Sequence, residues 1–149
     1  MTATGHAVIG TVIAAQFANP IIAIPLAIVS HIAADLFPHW DSGTNIRSKT
    51  KHRFFIEAMI DIGVGFILSY LIAFLFFPQV HASYLFLMII AAQLLDWLWV
   101  PYKFLGWHFP PFSTALKLGK ITNTKLDKPW GIILQIWVLL LLIGFAKVL

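Results

Sequence analysis

The 149-residue chain contains no cysteine. That excludes a disulfide framework and any thiolate metal site, so a bound metal would have to use histidine and carboxylate ligands. Charge is also scarce: Asp, Glu, Lys and Arg make up 11% of the residues, against about a quarter in soluble domains. No Lys or Arg precedes Arg47, so the positive stretch that opens a cleavable signal peptide is not expected. A P-loop, a dinucleotide-binding glycine fingerprint and the serine elbow of α/β-hydrolases are all missing. So are internal repeats and low-complexity segments.

What is present is apolar. Hydrophobic residues make up 60% of the chain and its mean hydropathy is +0.87, the composition of an integral membrane protein. The length suits one domain covering residues 1–149. Four apolar stretches stand out, at 7–36, 54–77, 82–102 and 130–149. The last three have the roughly 20 residues needed to cross a bilayer as a helix. Asn19-Pro20 interrupts the first near its middle and Pro25 follows, which predicts two short helices, about 4–18 and 20–36. The expected fold class is therefore all-α: a polytopic membrane bundle of three spans plus an N-terminal helical hairpin over 4–36. One kinked span in place of the hairpin, making four spans, is the alternative.

The net charge of +4 resides in loops and bears on orientation and lipid headgroups, not on nucleic acid. Loop 37–53 holds Arg47, Lys49, Lys51 and Arg53, and loop 103–129 holds Lys103, Lys117, Lys120, Lys125 and Lys128, whereas the connection 78–81 holds no Lys or Arg. The positive-inside rule puts both basic loops in the cytoplasm. Trp40, Trp97, Trp99, Tyr102, Trp107 and Trp130 should then form a belt at that interface. Asp127 reads as the N-cap of the last span, with Pro129 in its first turn. Residues 113–121 read either as a short surface helix, with Leu116 and Ile121 down, or as a solvated loop.

Ionisable residues collect at the same end. The acids are Asp35, Asp41, Glu57, Asp61, Asp96 and Asp127, and the histidines His6, His31, His39, His52, His81 and His108. A hairpin sets His6 opposite His31 at its open end, where a single span would put them on opposite sides of the bilayer. His6-Gly10-Ala14, Ala23-Ala27-His31-Asp35 and Glu57-Asp61-Gly65-Ser69 each share a helix face, so each polar group continues a stripe of small residues that faces other helices. An unpaired charge costs about 2.5–3.5 kcal/mol at the middle of a membrane helix. No Lys or Arg lies within the spans except Lys147 at the far end, leaving histidines, protons or a metal ion as compensation. Imidazole and carboxylate oxygen are normal ligands for zinc and other first-row divalent ions, and a carboxylate outside the ligand set can serve as general base. Each residue also has a simpler role open to it. His31 and Asp35 suit an intrahelical pair, and Asp96 a hydrogen bond to Trp or Ser. His39 and Asp41 suit a turn and His52 a basic loop. His81 and His108 fall outside the site.

Two short segments, MetThrAlaThrGlyHis at 1–6 and SerHisIleAlaAlaAsp at 30–35, resemble motifs of the membrane-bound metal-dependent hydrolases of bacteria and archaea, in particular their LexA-regulated inner-membrane type. The His-x-x-x-Asp spacing is also similar to that of zinc-dependent phospholipases C. The resemblance implies His6, His31 and Asp35 as metal-site residues. It covers about the first quarter of the chain. The family's Pro-Asp-x-Asp and Gly-His-Arg-x-x-Thr-His-Ser elements have only partial echoes here, in ProHisTrpAsp at 38–41 and LysHisArgPhePhe at 51–55.

These readings combine into one expectation: a protein of the prokaryotic inner (plasma) membrane, bearing a divalent metal, zinc first, at its cytoplasmic face. His6, His31, Asp35 and Asp96 are the expected ligands and Asp61 and Glu57 the expected catalytic carboxylates, with His39, Asp41 and His52 as further candidates. The expected activity is hydrolysis of a lipid-borne ester or phosphoester. Membrane lipids are the expected partners, and a homo-oligomer is compatible with the sequence. A small divalent-cation or proton carrier and a structural membrane subunit are the alternatives.

Overall fold

The computed structural model describes residues 1–148. Six α-helices order the described residues: α1 (Ala3–Gln16), α2 (Pro20–Leu36), α3 (Lys51–Phe76), α4 (Ala82–Phe104), α5 (Phe112–Thr122) and α6 (Trp130–Val148), with a 3₁₀ turn at Ile46–Ser48. Helices α3, α4 and α6 are long and apolar enough to cross a membrane. Their outer faces carry bare hydrophobics such as Ile67, Phe74 and Leu141, which fits lipid contact and an integral membrane protein.

The first apolar stretch is a hairpin. Asn19 caps α2 through its side chain, which accepts from the Ile21 N–H, and Pro20 occupies the first turn, where a missing donor does no harm. The legs, at 1.5 Å per residue, are about 21 and 26 Å long. The tip lies at the far end of the bundle: the Gln16 amide donates to the Ala146 carbonyl at 2.6 Å, and the Tyr84 hydroxyl donates to that of Phe17. The open end returns to the basic loops, because Gln135 bonds both Thr2 and Trp40. The two basic loops share that end too, since His39 pairs with the segment around Lys125.

Helix α1 is the centre of the bundle and packs against α2, α3, α4 and α6. Small residues permit this. A Cβ on Gly10 would stand 2.8 Å from the Met88 carbonyl oxygen and 3.0 Å from the Ala92 Cβ, whereas one on Gly63 would meet nothing within 4 Å. Gly10→Ala is therefore expected to lower stability by about 1–3 kcal/mol through overpacking, and Gly63→Ala to be neutral or mildly stabilising. Thermal unfolding of both variants in detergent checks this, and equal melting temperatures would refute the close α1–α4 approach. The α2 stripe is as expected, with Ala23, Ala27, His31 and Asp35 buried. On α3, Gly65 and Ser69 are buried, but Glu57 and Asp61 are only half-buried.

The segment 113–121 lies within α5, which packs on α4 and α2 with Ala115 and Thr122 inward. Leu116 is half-buried and Ile121 exposed. Asp127 does not cap α6 with its side chain; the carboxylate accepts from the Lys128 N–H and the Asn45 amide, both at 2.7 Å.

Candidate metal centre

Helix α1 begins inside the bundle, so its first N–H groups need partners other than water. The Thr2 hydroxyl accepts from the Gly5 N–H at 3.0 Å, and the Thr2 carbonyl accepts from the His6 N–H at 3.1 Å. Asp61 of α3 takes the rest: Ala3 N–H at 2.8 Å, Thr4 N–H at 3.0 Å and the Thr4 hydroxyl at 2.7 Å. Gln93 of α4 donates to the Ala3 carbonyl at 3.1 Å, and Gln135 of α6 accepts from the Thr2 hydroxyl at 3.1 Å. Three spans thus fix the turn that delivers His6.

His6 stacks on His31 with ring centroids 3.7 Å apart and planes 10° from parallel. His31 Nδ1 lies 2.7 Å from the Ala92 carbonyl oxygen. A carbonyl can only accept, so Nδ1 carries the proton and the Nε2 of neutral His31 presents a lone pair. That Nε2 faces two carboxylates, Asp35 Oδ2 at 3.5 Å and Asp96 Oδ1 at 3.6 Å. His6 Nε2 lies 3.2 Å from Asp35 Oδ1, yet both His6 nitrogens are buried without a hydrogen-bond partner, the approach being badly angled. The α-amino group of Met1 also pairs with Asp35, a compensating cation the spans themselves do not supply.

Such a set suits a cation. His6, His31 and Asp96 offer ligand atoms all within 4.8 Å of one another. Two ligands about 2.1 Å from one tetrahedral zinc ion stand about 3.4 Å apart, so the side chains would need to draw in to hold one. A histidine oriented through Nδ1–H on a backbone carbonyl is the usual outer support of a metal ligand. The side chains of His6, His31 and Asp35 are at most 5% exposed, whereas that of Asp96 is 37% exposed and forms the open side of the cluster.

His39 and Asp41 join from the loop after α2. His39 Nε2 lies 3.8 Å from Asp35 Oδ1 and 3.9 Å from Asp41 Oδ2. Its backbone is pinned on both sides, donating to Thr124 O at 3.1 Å and accepting from the Leu126 N–H at 2.8 Å. Gly131 lets α6 close on this loop, since a Cβ there would stand 2.6 Å from the Trp40 nitrogen. Burial raises the pKa of Asp41, but Lys125 and hydrogen bonds from Asn123, Lys125 and Thr44 outweigh it and hold the carboxyl below the usual carboxylate range.

Three sequence candidates stand elsewhere. Glu57 is engaged by Lys49 at 2.6 Å and Arg53 at 2.9 Å, cations that come from the first basic loop and the first turn of α3. Asp61 forms no ion pair with the histidines; its carboxylate serves as the cap of α1. Each oxygen of both carboxylates already accepts at least one hydrogen bond from these donors. His52 is exposed at the start of α3. His81 sits at the opposite end, before α4, with no side-chain cap bond. Sequence reasoning missed Thr2, Thr4, Gln93, Asn123 and Lys125. Gln93, a polar residue in an apolar helix, carried a signal, and Thr2 and Thr4 lie in the 1–6 segment singled out above. No protein-family model, curated protein or solved structure matches this chain, so the character of the centre rests on its geometry.

Proposed function

We propose that this is a membrane-embedded, metal-dependent hydrolase acting on a lipid-borne ester or phosphoester. The observation that supports it is the His31 lone pair facing two carboxylates, with the buried, unpartnered His6 ring stacked on it. The Met1 α-amino group compensates Asp35 on its Oδ1 side, whereas Asp96 and the His31 lone pair face each other with no cation between them. The distances of 3.5 and 3.6 Å exceed the 2.7–3.2 Å or so of an N–H···O bond, so a shared ion fits better than a proton. The residues that would hold it are His6, His31 and Asp96, with zinc the best match to an N/O donor set. When bound, such an ion supplies an activated water at neutral pH and polarises the ester or phosphoryl oxygen. Ala92 holds His31 in the required tautomer, Asp35 balances charge from the buried side, and Asp96 would give Oδ1 to the shared ion while leaving Oδ2 for a proton. The short likenesses at residues 1–6 and 30–35 to membrane-bound metal-dependent hydrolases point the same way.

Surroundings favour an amphiphilic, anionic substrate. The centre opens at the end that carries both basic loops and most of the tryptophans, a setting of headgroup depth. By the positive-inside rule this end is cytoplasmic, in a prokaryotic inner membrane. Past the cluster, the core is mostly apolar, with Ala7, Val8, Ile9, Met88 and Ile89, and the buried polar residues Thr11 and Ser69 there carry no charge, a lining that opposes ion passage and favours chemistry at one face over transport. The test is a screen of purified protein in detergent against phospholipid esters and phosphoesters, with and without chelator. Cleavage abolished by chelation and restored by zinc is expected; zinc flux into sealed proteoliposomes without any cleavage would replace this reading with a carrier.

A further inference from the structure

We infer that the cleft between the start of α3 and the end of α4 binds the headgroup of an anionic membrane phospholipid. Lys49, Thr50, Lys51, Phe54, Lys103 and Phe104 line this cleft, which encloses about 220 Å³. It is separate from the metal centre and does not rest on it. Along α4, Lys103 stands two helical turns, about 10 Å of rise, beyond Asp96.

The cleft carries positive charge that the protein leaves uncompensated. Lys49 and Arg53 both pair with Glu57, at 2.6 and 2.9 Å, so two cations share the one acid beside it. Lys51 and Lys103 form no ion pair among the described residues. Lys103 is held by aromatic rings instead: its Nζ stands 5.0 Å from the centre of the Phe54 ring and 5.3 Å from that of Trp99. Ring faces attract an ammonium but carry no net charge, so they position Lys103 without neutralising it. The first turn of α3 adds the positive end of its dipole.

The apolar surface next to the cleft identifies the anion as a lipid. On α3, Lys51, Phe55 and Met59 share a face at four-residue spacing, and on α4 Phe104 shares one with Val100. Phe55, Met59, Val100 and Phe104 are all exposed. Each helix thus runs from a charged or cleft-lining residue onto bare hydrocarbon within a turn or two, the profile of an amphiphile with an anionic end. Basic pockets between membrane helices suit such headgroups. A zwitterionic headgroup brings its own ammonium, a like charge to Lys51 and Lys103, so the cleft complements the anionic class.

Lipid binding tests the inference. Full-length protein in a neutral detergent, with chelator present so that no metal-dependent reaction consumes the lipid, is titrated with phosphatidylglycerol or phosphatidylcholine. Bound lipid per chain is counted by native mass spectrometry. Phosphatidylglycerol is expected to bind roughly tenfold more tightly or better. The preference should vanish in Lys51→Gln with Lys103→Gln and return in Lys51→Arg with Lys103→Arg. Lys117→Gln with Lys120→Gln removes the same charge from exposed positions of α5 and should keep the preference. Equal binding of the two lipids by the native protein, a comparison that needs no variant, overturns the site. A preference lost equally in the α5 pair also overturns it, as bulk attraction by the basic loops. Displacement of phosphatidylglycerol by inorganic phosphate at matching concentration overturns the lipid assignment in favour of a soluble anion.

Discussion

His31→Ala is expected to lose the bound ion and to drop hydrolysis by well over 100-fold, while His81→Ala keeps both. Loss of an outer-shell partner alone costs about 10–100-fold in affinity or activity, and His31 stands closer than that. Its Nε2 faces Asp35 and Asp96, its ring supports His6, and its Nδ1–H ties the group to the α4 backbone at Ala92. Truncation therefore removes the proposed ligand, the stacking face of His6 and the tautomer lock in one step. His81 is exposed at the other end of the bundle and controls for generic loss of a histidine. Metal content, activity and melting temperature are measured together on each variant. A His31→Ala protein that melts like the native one and still carries its full complement of metal would exclude His31 as a ligand.

Asp61→Ala is expected to destabilise the protein by about 2–3 kcal/mol, with activity lost only as the folded fraction falls. The carboxylate satisfies two backbone N–H groups and one hydroxyl at the start of α1. Each donor orphaned away from water costs about 1–3 kcal/mol, tempered here because Asp61 is half-buried. A negative charge at a helix N-terminus adds a favourable dipole term. Asp61→Asn should fall between, since the amide keeps one acceptor and turns a donor toward other donors. Thermal unfolding and specific activity per folded molecule separate the roles. If Asp61→Asn melts normally but is catalytically dead, Asp61 is a general base and not a cap.

Several features of this protein are decided by local sequence. Composition and run length determine that it is helical and apolar enough for a membrane, because a spanning segment must satisfy its backbone internally. Asn19-Pro20 determines the hairpin, since proline cannot continue α1 and suits the first turn of α2. The four-residue spacing from Ala23 through Ala27 and His31 to Asp35 determines that the histidine and aspartate share the buried face of α2, because that spacing is one helical turn. The partners of those residues are a matter of tertiary structure. Glu57 and Asp61 are one turn apart and look equivalent in sequence, yet one meets loop cations and the other the bare end of α1. That distinction depends on which helix end abuts each carboxylate. Likewise, nothing near His39 or Asp41 in sequence points to Asn123 and Lys125, more than 80 residues away. Only the packing of the second basic loop against the first, permitted by the missing side chain at Gly131, brings them together. Local pattern sets helix faces because its period is that of the helix, whereas the contents of a site depend on contacts between segments that no local period encodes.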